Sequence, residues 1–161
     1  MMRERYEQAE AYFREGVTLA REMGHRERTC GQLLKLGELM VAQGQYEQAP
    51  AYLAESLALA RELQSPVYIA ACLQLQGDIF RNQQQWEAAT TAYHEALAHT
   101  SKIHIPELTA GCYTGLGKVA REQGDFDEAR RWGQEALTIF ESIGYYLAAE
   151  ARAWLETLPS V

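Results

Sequence analysis

The segment QWEAATTAYHEAL, residues 85–97, returns in this chain every 40 residues. QYEQAPAYLAESL occupies 45–57, RYEQAEAYFREGV occupies 5–17 and DFDEARRWGQEAL occupies 125–137, so an aromatic opens each copy at Tyr6, Tyr46, Trp86 and Phe126. A second motif interleaves with the first: CGQLLKLGELMVAQGQY from Cys30, ACLQLQGDIFRNQQQW from Ala71 and GCYTGLGKVAREQGDF from Gly111. Self-similarity at a fixed spacing restricts a chain to architectures in which one supersecondary unit is stacked on copies of itself. Each unit then buries its apolar face against its neighbours and needs no shared central core. A length of 161 residues has room for about four such units.

Apolar residues within the repeats recur at three- and four-residue steps, the period of an amphipathic helix. Tyr6, Ala9, Phe13, Val17, Ala20 and Met23 mark a first helix over 2–23, and further helices are expected at 27–43, 46–63, 66–83, 86–102, 106–123, 126–143 and 146–157. Pro66 and Pro106 suit the first turn, where an amide donor has no helical partner. Pro50 lies early in the third helix and predicts a bend or a later start there. Asp125 with Glu128 three residues on reads as a capping box; the first helix is expected to end near Gly24, and Gly44 offers the left-handed conformation that follows many helix ends. Connections of two to four residues turn each helix back along its predecessor. The expected fold is all-α: about eight helices in antiparallel pairs, forming one α-solenoid.

The charge balance removes several functions. A formal net charge of -7 opposes binding to phosphate backbones and anionic membranes, because nucleic-acid binders present a basic face. The N-terminus carries no apolar signal segment, and no stretch approaches the roughly 20 apolar residues that span a bilayer; a cytoplasmic setting is expected. Cys30, Cys72 and Cys112 form no CxxC pair and recur on an apolar face, which reads as buried small residues.

The repeat resembles the tetratricopeptide family, in the longer form found in kinesin light chain and in arrays of maltose-activator-type regulators. The resemblance rests on small residues where paired helices cross, Gly37, Gly77 and Gly117 on first-type helices and Ala9, Ala49, Ala89 and Ala129 on second-type ones, together with the aromatics above. Met40 and Ala120 stand where the family often has an aromatic, and Gly133 where it has a large residue. The resemblance implies a right-handed superhelix organised as a lone second-type helix at 1–24, helix-pair repeats at 25–64, 65–104 and 105–144, and a capping helix at 145–161. Its phase leaves Phe13, Val17 and Ala20 without a preceding partner, which suggests a piece of a longer array or self-association through this first helix.

No residue pattern supports catalysis. Gly115-Leu-Gly-Lys-Val-Ala120 satisfies a loose dinucleotide fingerprint, but it falls inside a helix rather than at a strand-to-helix turn. His94, His99 and His104 are five apart, which turns successive imidazoles away from one another. Glu15, Glu55, Glu95 and Glu135 form a ladder of like groups, better suited to solvent or inter-repeat pairing than to chemistry. No cofactor, metal or catalytic residue is expected.

By resemblance, the first-type helices line a concave groove. The partner-binding candidates are Leu34, Lys35, Glu38 and Val41, then Gln74, Leu75, Asp78, Arg81 and Asn82, then Thr114, Lys118, Arg121 and Glu122. Arg81 and Arg121 share a phase and with Lys118 could form a basic cluster suited to a carboxylate on an extended or helical segment. Asp78 with Arg81 and Lys118 with Glu122 could instead pair locally. The expected function is a non-catalytic module binding a protein or peptide, with effector sensing within a larger regulator and self-assembly as alternatives.

Overall fold

The turns set the architecture. At residues 24, 44, 64, 84, 104, 124 and 144 the backbone is left-handed, with φ of 68°, 70°, 51°, 60°, 49°, 81° and 63° respectively. These positions are 20 residues apart, half the sequence repeat. Four are glycine, whereas Gln64, Gln84 and His104 hold the same geometry with a side chain. At six of the seven, the amide of the following residue donates to the carbonyl five positions back, as in Ser65 N to Ala60 O (3.0 Å) and Gln85 N to Phe80 O (2.8 Å). The left-handed residue itself donates three positions back, completing a Schellman cap that satisfies the orphan carbonyls. The turn at His104 instead uses one bond, His104 N to Thr100 O (3.1 Å).

The computed structural model describes residues 2–159, with side chains from Arg5 onward. Among them are eight helices: α1 (Met2–Glu22), α2 (Arg26–Ala42), α3 (Ala49–Glu62), α4 (Pro66–Asn82), α5 (Trp86–Thr100), α6 (Pro106–Glu122), α7 (Phe126–Ser142) and α8 (Ala148–Glu156). No strand occurs among the described residues, and none of their helices is long and apolar enough to cross a membrane. Helix α3 begins three residues later than the aromatic phase predicts, which places Pro50 in its first turn, where it costs no helical hydrogen bond. Helix α8 starts at Ala148 because Tyr145 to Leu147 form a turn in which Tyr145 stacks on Phe140 at 5.6 Å. Asp125 caps α7 by accepting from Glu128 N at 3.0 Å; the Glu128 carboxylate turns to Arg131 rather than back to the cap.

The most extensive interfaces are α4/α5, α6/α7 and α2/α3. Helix α2 also touches α4, and α4 touches α6, while no comparable contact joins α3 to α5 or α5 to α7 among the described residues. Helices that crowd lie on the inside of a curve, so α2, α4 and α6 form the inner wall. The outer layer is bridged by long side chains instead: Arg21 of α1 pairs with Glu55 of α3, and Arg61 of α3 with Glu95 of α5 at 3.8 Å. Two rungs of the glutamate ladder thus serve inter-repeat pairing.

Close approach within pairs explains the recurring glycines. A methyl carbon on Gly37 would lie 2.8 Å from Leu53 Cγ, and one on Gly77 would lie 2.6 Å from Tyr93 Cε1. Ala49, Ala89 and Ala129 are fully buried on the facing helices. The expected bare apolar face at the N-terminus is corrected: Val17 and Ala20 are 6% and 4% exposed, and Val17 packs with Leu33, Leu36 and the half-buried Phe13. Helix α2 is long enough to cover that side of α1, and the exposed apolar groups are Tyr12, Leu19 and Met23 on the other side.

Replacing Gln64 or Gln84 by glycine removes a Cβ from a left-handed residue and should stabilise the chain by about 1 kcal/mol, read as a higher urea midpoint at unchanged slope. Gly77→Ala should do the reverse. Helix propensity favours alanine by about 1 kcal/mol, but a fully buried tyrosine ring blocks the new methyl, and overpacking costs roughly 1–3 kcal/mol.

Candidate functional site

The polar centre of the inner wall is built around a buried tyrosine. Tyr93 of α5 is fully enclosed, and its ring lies in a slot formed by Gly77 of α4 and Gly115 of α6, each too close to admit a Cβ. The phenol emerges at the inner face and donates to Asp78 Oδ1 at 2.8 Å. Burial first, then the charge of Asp78, raises the Tyr93 pKa far above its ordinary value, so the hydroxyl remains a donor. Burial also pushes the Asp78 carboxyl up, opposed by the Tyr93 hydrogen bond and by Arg81 and Lys118.

Arg81, Lys118 and Arg121 stand near one another on this wall. Arg81 Nη2 lies 3.9 Å from Asp78 Oδ1, and its Nε is buried without a hydrogen-bond partner among the described residues. Burial lowers the Lys118 pKa most, followed by the neighbouring charge of Arg81, with Arg121 adding to it and Asp78 and Glu150 opposing. Arg121 binds Glu122 at 2.7 Å and lies 5.8 Å over the Trp154 ring. The expected Lys118–Glu122 pair is therefore corrected: Arg121 takes that carboxylate, and Lys118 is left facing the cluster.

Beside the cluster is a cavity of about 370 Å³. Its origin is a break in the repeat. Leu53 and Tyr93 fill the space against Gly37 and Gly77, but the equivalent position 40 residues later is Gly133, which brings no side chain. Trp154 reaches across from α8 into part of the gap, with Cζ3 2.6 Å from where a Cβ of Gly133 would be and Cη2 3.1 Å from that of Gly117. The remaining space has an apolar floor of Ala136 and Phe140 and a wall of Leu147, Ala151 and Trp154. Gln74, Asp78, Thr114, Lys118 and Glu150 form its polar margin.

The structure thus brings Gln74, Asp78, Thr114 and Lys118 together at the cavity, with Arg81 and Arg121 adjoining. The remaining sequence candidates lie elsewhere or are engaged. Leu34 is 5% exposed and belongs to the main core, and Leu75 and Val41 pack against that core, part-buried. Lys35 and Glu38 hold each other at 2.6 Å. Asn82 folds back to Asp78 O at 2.8 Å. Tyr93, Phe140 and Trp154 escaped the sequence reading, since two lie on second-type helices and one on the cap. The departure at Gly133 was the available signal. Cys30 and Cys72 flank Ser56 in the core at 3.5 and 3.4 Å, and burial raises both thiols, Cys72 to about 11, leaving them protonated.

The sequence matches the model of a MalT-like TPR region over residues 1–156. No curated protein matches it. Among solved structures, the crystal structure of BtubC (BKLC) from P. vanneervenii superposes with a TM-score of 0.72 at 20% identity, covering 91% of this chain and 62% of that one. The likeness is one of fold, and this chain spans under two thirds of that protein's length.

A carboxyl whose folded pKa is raised above its ordinary 3.8 binds its proton more tightly folded than unfolded, so it subtracts stability as pH rises through the folded value. The Asp78→Asn protein, which keeps an acceptor for Tyr93 but does not titrate, should gain stability relative to the parent as pH is raised from the ordinary value of 3.8 toward neutrality. Urea titrations across that range check this; a difference independent of pH counts against it.

Proposed function

This chain belongs to the MalT-like TPR family, and we propose that it is a non-catalytic interaction module taking a peptide or helical segment of a partner protein into the groove along α2, α4 and α6. The observation that carries this reading is the Arg81–Lys118–Arg121 cluster on the inner wall of a chain whose net charge is -7. A local excess of positive charge at a concave, part-buried surface suits an acidic side chain or carboxylate on the partner, since charge-assisted bonds strengthen as water is excluded. Arg81 is well placed for this role because its Nε has no acceptor among the described residues. Neither nucleic acid nor membrane fits the acidic remainder. We place the module in the cytoplasm and read 25–64, 65–104 and 105–144 as its repeats.

A second reading, self-association, is favoured by Tyr12, Leu19 and Met23, which are 67%, 50% and 62% exposed on α1. Apolar groups gathered on one helix face mark interaction surfaces. Concentration-dependent sedimentation that disappears in a Leu19→Glu/Met23→Glu protein would support it.

For the groove, joint Arg81→Glu and Arg121→Glu substitution should reduce partner capture from native lysate by at least about tenfold, since lost charged hydrogen bonds cost about 1.5–3 kcal/mol. Helical circular dichroism should be unchanged. Undiminished capture would remove the cluster from the binding surface.

A further inference from the structure

The cavity beneath Lys118 has the dimensions and the chemical asymmetry of a small-ligand site. Its volume of about 370 Å³ falls within the range of pockets that enclose small molecules, roughly 300–1,000 Å³. Its floor is apolar, and one cation stands at its margin. Four buried side-chain polar atoms lack partners among the described residues; Gln32 Oε1 and Gln43 Nε2 lie toward the other end, while Trp154, which bears Nε1, lines the cavity and Arg81, which bears Nε, stands next to Asp78 of its margin. The two unpartnered atoms at this end are both donors. Lys118, also a donor, has no ion-pair partner within the described residues.

Acidic groups are present too, but they make a weaker demand. Asp78 already accepts from Tyr93 and lies beside Arg81. Glu150 is exposed on the outer margin, where water serves it. A buried donor without an acceptor costs about 1–3 kcal/mol, so an occupant that supplies acceptors is stabilised where one that supplies donors is not. The lowered Lys118 pKa agrees, as the site concentrates more positive charge than burial tolerates.

We infer that this cavity binds a small amphipathic carboxylate, its apolar body against Ala136, Phe140 and Trp154 and its carboxylate at Lys118 beside Arg81. The site goes beyond the groove reading and does not require it. A free ligand here also touches α8 through Trp154 and Ala151, and so ties the last helix to the inner wall. Gly133 makes the site possible, because a side chain the size of Leu53 or Tyr93 would fill it.

The test uses the purified full chain and no protein partner, so its result is separable from that of the groove substitutions. Octanoate, octanol and octylamine present the same chain with an anionic, neutral and cationic head, and calorimetry gives their affinities. Octanoate should bind about tenfold or more tighter than octanol, with octylamine weakest. In Lys118→Met the octanoate advantage should vanish while octanol binding persists, which also shows that the cavity survives the substitution. With Trp86 and Trp132 replaced by Phe, octanoate should shift the emission of the remaining Trp154. Equal binding of octanoate and octanol, tightest binding of octylamine, an octanoate preference that survives Lys118→Met, or binding without a Trp154 response would each overturn the assignment.

Discussion

The left-handed turn at every twentieth residue is the constraint on which the fold depends. A Schellman cap ends a helix, satisfies its last carbonyls and redirects the chain within two or three residues. Equal spacing of these caps holds each of α2 to α7 to 14–17 residues, and antiparallel helices so matched can stack face on face without an orphaned end. The 40-residue repeat is therefore two 20-residue steps, distinguished by which helix carries glycine and which carries the side chain that fills it. That glycine faces Leu53 and Tyr93 at the crossings is a consequence: short turns hold the paired helices so close that only one of two facing positions can carry a large side chain.

Much of this was legible in the sequence, because the signals were local and repeated. The interval of the aromatics, the prolines at 66 and 106, the Asp125 cap and the glycines at 37, 77 and 117 each reported on a neighbourhood of a few residues. The turns at Gln64, Gln84 and His104 were less legible, since no glycine marks them; packing on both sides imposes a geometry these residues would not choose alone. The cover over Val17 and Ala20 depended on how far α2 extends alongside α1. That is a tertiary fact, which a helical periodicity does not contain.

The candidate site divides in the same way. Inner-wall residues Gln74, Asp78, Thr114 and Lys118 were carried over from the groove phases of the family that the repeat resembles, and the structure brings them together. Their company did not follow from those phases: Tyr93 reaches Asp78 from the outer layer through a gap between two glycines, and Trp154 arrives from the final helix into space vacated at Gly133. A residue that is absent is hard to read as a feature. Yet the single break in a regular series is what opens the cavity, and its consequences reach residues more than 20 positions away.

The two layers of the array are also joined by different forces. Inner helices meet through close packing, which salt does not alter, whereas outer helices α1, α3 and α5 are linked by Arg21–Glu55 and Arg61–Glu95, exposed pairs that salt screens over about 8 Å at physiological strength. Such pairs add only about 0.2–1 kcal/mol each to stability. As braces on the convex side, however, they oppose the spreading of the outer helices, in the manner of ties across the back of a bow. Ionic strength then becomes a means of letting the molecule curl more tightly while leaving its hairpins intact.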